Sequence, residues 1–258
     1  ARRTLTLARP GAVKPAGVAT PFHLDPETGL LAVDAVIDGR PYAITVDNGS
    51  AWSWFRQTAV KDWLSDRPDW ARGTGAVGPS NMMMVGDLEA AGLMVRVPTL
   101  RMGALTLNQV DALGPGPTDA FPFELFDWYS KKNAVPVLGW IGGNVLKGYR
   151  LTIDYPNRTL YWLRQAAPDR DELNQVGLTL RARAGAYFVA GVASKDGRPT
   201  VTGVQVGDKL VSIDGMPLEG ASWGAIFQAL HGPPGARRSL ILHRDGQTVT
   251  ASALVTAF

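Results

Sequence analysis

The sequence predicts a mainly β chain arranged as two domains with a short linker between them. Three observations predict it. The 258 residues include 29 glycines and 18 prolines, a content that favours turns and short strands over long helices. Short apolar runs alternate with turn signals along most of the chain. After Gly177 the alternation of strands, glycines and one amphipathic helix begins afresh. With 45% hydrophobic and 19% charged residues, the chain has the composition of a folded domain with a packed core.

Taken in order, residues 1–21 read as an arm rich in Pro, Arg and Ala. Leu30–Val33 and Ala35–Ile37 are short apolar strand runs, and Asp38-Gly39 is a hairpin signal. Tyr42–Val46 is the returning strand, which ends at Asp47-Asn48-Gly49-Ser50. A helix is expected from about Gln57 to Asp66. Gly73, Gly75 and Gly78 mark a hairpin or loop, and Leu93–Val97 and Leu105–Leu107 are further strands. Residues 114–136 carry Gly-Pro repeats and then Phe121, Phe123, Phe126, Trp128 and Tyr129, the pattern of an inserted aromatic loop or short helix. Val135–Tyr161 is rich in strands, with a tight turn over Asp154–Arg158. Residues 164–175, charged and alanine-rich around Pro168, are the predicted linker.

Charge and composition exclude several classes. The net charge is +3, and the basic residues form no stripe with interleaved aromatics, so nucleic-acid binding is not expected. There is no cysteine, which removes disulfides and thiolate metal sites. His23, His231 and His243 are not at metal-ligand spacing, so neither a metal nor a cofactor is expected. No apolar run reaches the ~18 residues of a membrane span. The chain begins with Ala1 rather than Met, compatible with a removed export signal and a periplasmic or secreted protein. Gly220-Ala221-Ser222-Trp223-Gly224 fits a nucleophile-elbow pattern, but it lacks the strand-then-helix context of a hydrolase sheet; Ser222 reads as a helix cap. Asn157-Arg158-Thr159 fits a glycosylation sequon inside a turn that needs no such explanation.

On local grounds Val46-Asp47-Asn48-Gly49-Ser50 is a turn after a strand, since Asn-Gly is a strong hairpin signal. In context, Ile44-Thr45-Val46-Asp47-Asn48-Gly49-Ser50-Ala51 resembles the loop of retropepsin-type aspartic peptidases, in which an apolar strand delivers Asp-Thr/Ser-Gly-Ala/Ser to the base of a cleft. The run from Trp140-Ile141-Gly142-Gly143-Asn144 to Asp154-Tyr155-Pro156-Asn157-Arg158 is similar to the end of bacterial members: an apolar-Gly step, a short helix, a strand and an Asp-Tyr turn. Ile141 and Gly142 are then the step that packs beside the catalytic loop. Gly73-Thr74-Gly75-Ala76-Val77-Gly78 sits where the family carries its substrate-covering flap. The resemblance spans about residues 22–163 and implies an acid-protease β-barrel.

For that family the chemistry needs two carboxylates sharing one proton. Like charges held that close cannot both ionise, so their pKa values split. The ionised Asp takes a proton from a water that attacks the peptide carbonyl, and the protonated Asp polarises that carbonyl. This chain offers one such motif. Asp38-Gly39, Asp196-Gly197, Asp214-Gly215 and Asp245-Gly246 are bare Asp-Gly turns. The resemblance therefore implies a homodimer with Asp47 of each copy at the axis, Gly49 permitting the tight turn and Ser50 bonding the carboxylate. Asn48 departs from the family's Thr or Ser. It has a donor and an acceptor, but a geometry different from the hydroxyl that braces the two loops.

In the second half, Gly203–Leu218, with Gly207-Asp208 and Ile213-Asp214-Gly215, looks like the PDZ signature of bacterial proteases. The match covers about residues 176–258 and implies a β-sandwich or partly open barrel with one or two helices. Ala225, Ile226, Ala229 and Leu230 are the expected core face of its helix. PDZ domains bind an extended peptide as an added strand. The sequence places that strand at Ala186, Tyr187, Phe188, Val189 and Ala190. Two functions follow: an aspartic endopeptidase acting on peptide or protein substrates, or an inactive relative that binds peptides through its PDZ domain.

Overall fold

The computed structural model describes residues 11–12, 14–75, 91–116, 123–131, 136–169 and 171–258. In the N-terminal half the strands are β1 (Val18–Pro21), β2 (His23–Leu24), β3 (Leu31–Ile37), β4 (Arg40–Val46), β5 (Ser53–Phe55) and β6 (Arg72–Thr74). They continue with β7 (Leu93–Met102), β8 (Leu105–Gly114), β9 (Val137–Ile141), β10 (Tyr149–Asp154) and β11 (Thr159–Arg164). Among the described residues three helices interrupt them: α1 (Gln57–Asp66), α2 (Phe123–Lys131) and α3 (Gly143–Leu146).

The chain is mainly β, as its sequence predicts. Strands β3, β7, β8, β5, β9 and β4 close a barrel, because β3 pairs with β4 on one edge and with β7 on the other. Ile37, Ile44, Phe55, Val95, Val97 and Leu100 fill it. All five residues of β9 are buried, the continuous apolar run expected of a strand covered on both faces. Helix α1 spans the expected residues. It packs inward through Val60, Trp63 and Leu64, the i, i+3, i+4 spacing of one helix face.

The second half contains β12 (Asn174–Gln175), β13 (Leu178–Arg183), β14 (Ala186–Val192), β15 (Ser194–Lys195) and β16 (Arg198–Pro199). It goes on with β17 (Lys209–Ile213), β18 (Met216–Pro217), α4 (Trp223–Leu230), β19 (Arg237–Arg244), β20 (Gln247–Leu254) and β21 (Thr256–Ala257). Its sheet runs β13-β14-β17-β19-β20. A separate core forms there, including Leu178, Leu210, Ile213, Ile226, Leu240 and Leu242. The Ser222 side chain caps α4 by accepting from Ala225 N at 3.3 Å. Ile226 and Leu230 face the core, and Ala229 packs against it partly buried. Ala225 is exposed, a correction to the predicted face; it lies in the first turn, where α4 leaves the sheet.

Asp38-Gly39, Asp196-Gly197, Asp214-Gly215 and Asp245-Gly246 each have positive φ at both residues. Each joins antiparallel neighbours across a two-residue loop, the type I′ geometry that matches strand twist.

Two boundaries differ from expectation. Val18–Pro21, the end of the predicted arm, pairs with β11 in a sheet ordered β1-β11-β10. The predicted linker is partly core. Leu173, Glu172, Asn174 and Gln175 are buried, and β12 pairs with β21 at the chain's end. Leu173 and Phe258 join Trp52, Trp54, Met94, Leu113, Phe126 and Trp140 in one apolar cluster. That burial stitches the two halves together. Ser194 on β15 also pairs with Thr74 on β6.

Candidate active site

Strand β4 is buried over Ala43, Ile44 and Thr45, and it ends at Val46, one residue before Asp47. Asp47 N donates to Ile141 O at 3.0 Å. Its carboxylate accepts from Gly49 N at 2.8 Å, an Asx turn that fixes the carboxylate to its own loop. A Cβ at Gly49 would sit 3.2 Å from that oxygen, so glycine leaves room for the bond. Neither Asn48 nor Gly49 has positive φ, and β9 lies between β4 and β5. The Asn-Gly dipeptide is therefore not a hairpin turn. A hairpin would make β4 and β5 partners, and β9 occupies that place.

The predicted Ile141-Gly142 step lies directly against this loop. Ile141 pairs with Val46 in the parallel β4–β9 ladder. Any Cβ at Gly142 would overlap the Trp52 backbone, and one at Gly139 would overlap that of Trp54. Gly143 N donates to Ser50 O at 2.8 Å and Asn144 N to Ala51 O at 2.9 Å, so α3 clamps the loop from behind. The Ser50 hydroxyl donates to Trp52 O at 2.7 Å, not to the carboxylate as the sequence suggested. A hydroxyl has one proton to give, and the nearby carbonyl takes it.

Sequence reasoning missed Ser53 and Asn144. Ser53 N and Oγ both donate to Asn144 Oδ1, at 2.8 and 2.9 Å. Gly142 N donates to Ser53 Oγ at 3.1 Å, and Asn144 Nδ2 reaches Asp111 O at 2.7 Å. A lone polar residue, Asn144, straight after the Trp140–Gly143 run is the signal available.

The aromatic insertion forms α2 and packs on the same scaffold. Phe126 lies 5.0 Å from Trp140, which stacks on Trp54 at 5.6 Å. Arg56, just past β5, ties the helix down: Nε donates to Val137 O at 2.9 Å, Nη1 to Asp127 at 2.7 Å and Nη2 to Ser130 Oγ at 3.0 Å. Tyr129 packs on Ala32, Ala43 and Val137. Burial, and then the negative charge of Asp47, hold its phenol above the usual tyrosine range.

Of the predicted flap residues, Gly73 is buried in β6, where a Cβ would meet the Met94 and Phe258 side chains. Gly75 N bonds Gly92 O at 2.7 Å with φ of 87°. Both lie where β6 pairs with β7 or just beyond it; Gly78 lies outside the described residues.

Behind the loop a cavity of about 350 Å³ is bordered by Asp111, Asn144, Lys147, Asp169 and Glu172. Asp111 pairs with Arg96 at 2.6 Å and Glu172 with Lys147 at 2.9 Å. Burial outweighs these partners and pushes Asp111 up to about 6 and Glu172 up to about 7.

The predicted peptide-binding strand is corrected. Ala186–Val189 pair with β13, while Tyr187 and Phe188 pair with β17 on the other side. Val189 N also donates to Asp208 O at 2.8 Å. Strand addition needs unpaired backbone groups, and in β14 Tyr187, Phe188 and Val189 already have partners on both sides. The edge strands on the sheet's main path are β13 and β20. The Tyr187 hydroxyl donates to Ala221 O at 3.2 Å and its ring stacks on Trp223 at 6.0 Å, so Tyr187 anchors α4.

No family model and no curated protein matches the chain. Among solved structures, a retropepsin-like aspartic protease from Rickettsia conorii is similar at 14% identity. That match covers 57% of this chain and 92% of the protease, with a TM-score of 0.33. The HtrA-type protease AlgW with a decapeptide is similar at 16% identity, over 98% of this chain and 63% of that one, with a TM-score of 0.24. With a tripeptide the same protease gives 15% identity, 98% and 68% coverage, and a TM-score of 0.23. Likeness this distant says nothing about chemistry.

Proposed function

We propose that the chain is an aspartic endopeptidase of the retropepsin type, active as a homodimer, with a PDZ-type domain that binds substrate or partner peptides. One observation carries the proposal. Asp47 stands at the mouth of a barrel strand, with its carboxylate set by Gly49 and its loop clamped by Ile141, Gly142 and α3. That is a rigid support for a carboxylate, the requirement of a preorganised base. The ionised Asp47 of one copy takes a proton from water, and the water oxygen attacks the peptide carbonyl carbon. The protonated Asp47 of the second copy polarises the carbonyl oxygen. A bound peptide in the second domain would extend the sheet at β13.

The test is peptide cleavage from acid to neutral pH by the wild type and Asp47→Asn. The variant should lose activity by several orders of magnitude; equal cleavage by both removes the proposal. Asn48, exposed at the loop's tip, favours a second reading: a peptide-binding protein without hydrolysis. The two readings part at Asn48→Thr. An enzyme braced as its relatives are should gain activity from the restored hydroxyl, whereas a pure binder should gain none.

A further inference from the structure

We propose that β10 is the seam of the homodimer: its open edge pairs antiparallel with the β10 edge of a second copy, with the twofold axis at Thr152. The seam rests on the dimer of the peptidase reading, but on no property of Asp47. Strand β10 (Tyr149–Asp154) ends the sheet ordered β1-β11-β10. It pairs with β11 along its whole length without a register shift, so its outer edge is regular. Among the described residues no backbone bond reaches that edge. A regular, unpaired edge is a template for another strand.

The apolar layer of this sheet runs out at the same edge. Residues opposite each other in a ladder share a face, and Leu151 lies opposite Trp162 and Ile153 opposite Leu160. Trp162 and Leu160 are buried in the barrel core, and Leu151 packs against it partly buried. Ile153, on the same face, is 40% exposed. A second β10 alongside would set its Leu151 opposite Ile153 and continue the layer across the seam.

Parity and charge select the register. In an antiparallel ladder, opposite residues either both bond across it or both do not. Two identical edges therefore match residues an even number apart, which puts the axis on a residue. An axis at Arg150 sets two guanidinium groups against each other. At Ile153 it sets Arg150 against Pro156, which has no N–H to give. At Leu151 it leaves Asp154 opposite Gly148, and at either end of the strand it leaves most residues unmatched. At Thr152 it sets Arg150 opposite Asp154 of the second copy, on both sides of the axis, and Leu151 opposite Ile153. Arg150 is exposed and has no ion pair among the described residues. Asp154 accepts from Asn157 N and Nδ2, at 3.1 and 2.8 Å, and a carboxylate has further lone pairs for a guanidinium. The seam bears on the site through α3. Only Lys147 and Gly148 separate α3 from β10, and α3 holds the Asp47 loop through Gly143 N and Asn144 N.

The chain has no cysteine, so Thr152→Cys carries one thiol per copy. At the axis the two Cα atoms would lie ~4.5–5.5 Å apart, within the reach of a disulfide. Arg150→Cys is the control, because its two thiols would lie ~13 Å apart along the strand. Air oxidation with a copper catalyst should give a covalent dimer of Thr152→Cys roughly tenfold faster than of Arg150→Cys. Wild type should elute as a dimer. Arg150→Asp, which sets carboxylates opposite each other, should raise the dissociation constant roughly tenfold while its circular dichroism stays that of wild type. A monomeric wild type, equal cross-linking of the two cysteine variants, or an unchanged dissociation constant in a folded Arg150→Asp overturns the seam. Cleavage by wild type and Asp47→Asn judges the peptidase reading separately. Cross-linking without cleavage keeps the seam and removes the enzyme; cleavage lost in Asp47→Asn without cross-linking keeps the enzyme and removes the seam.

Discussion

A single methyl group at position 142 would overlap the Trp52 carbonyl, a rigid backbone neighbour with nowhere to move. Gly142→Ala should therefore cost on the order of 3 kcal/mol and drag the Asp47 loop out of place. Urea denaturation should show a lowered midpoint, and a midpoint equal to wild type would mean that the loop has slack. Position 49 makes a contrast. There the neighbour is the Asp47 carboxylate at 3.2 Å, a side-chain atom that can turn away. Gly49→Ala should leave stability almost unchanged while it weakens the Gly49 N–Asp47 bond, an effect seen in cleavage and not in unfolding. The packing of Ile141 and Gly142 against the loop of Asp47 is legible in the sequence, because it belongs to a short apolar-Gly run with a steric reason. Ser53 and Asn144 were not. They are 91 residues apart, and their worth lies wholly in each other and in the Gly142 and Asp111 backbone. Asn48-Gly49 misled local reading because a two-residue turn signal carries no information about a third strand lying between its neighbours.

Elements divided along the same line. The four Asp-Gly hairpins follow from φ preferences within two residues, and the structure has all four. Helix α1 was legible from its apolar spacing, and α4 from its cap. Ser222→Ala removes the one side-chain acceptor at the start of α4 and should cost about 1 kcal/mol, read as a lower thermal midpoint. An unchanged midpoint would show that backbone and water satisfy that end equally well. The sequence suggests β14 as an edge because it shows which residues form β14 but not how many neighbours β14 has. Whether a strand is an edge or an interior one depends on β13 and β17, which lie on either side of it in space. The linker was misread for a related reason. Charged, alanine-rich residues look solvated until a terminal aromatic, here Phe258, folds back to meet Leu173.

The two halves meet in an apolar cluster and, beside it, in a group of charges, and the charges make the joint sensitive to pH. Glu172 and Asp111 sit among Asp169, Asp171, Lys147 and Arg96, and burial raises both acids, Glu172 to about 7 and Asp111 to about 6. In the unfolded chain they titrate near ~4. Between those values the folded protein holds protons that the unfolded chain has released, so stability falls as pH rises through that window and grows as pH drops. Three groups act differently. Asp38, bonded by Arg67, and Asp208, paired to Arg244 at 2.7 Å, are both held below the usual carboxylate range and titrate beneath the window. His231, pushed down to about 4 by burial, opposes the gain once pH drops under ~6.5. The cleanest interval is therefore about pH 8 to about pH 6, where Glu172 leads. Denaturant midpoints should rise across it in the wild type. Glu172→Gln, neutral at every pH, should flatten that rise while leaving the alkaline midpoint as high or higher. A variant that keeps the full slope would place the titrating group elsewhere.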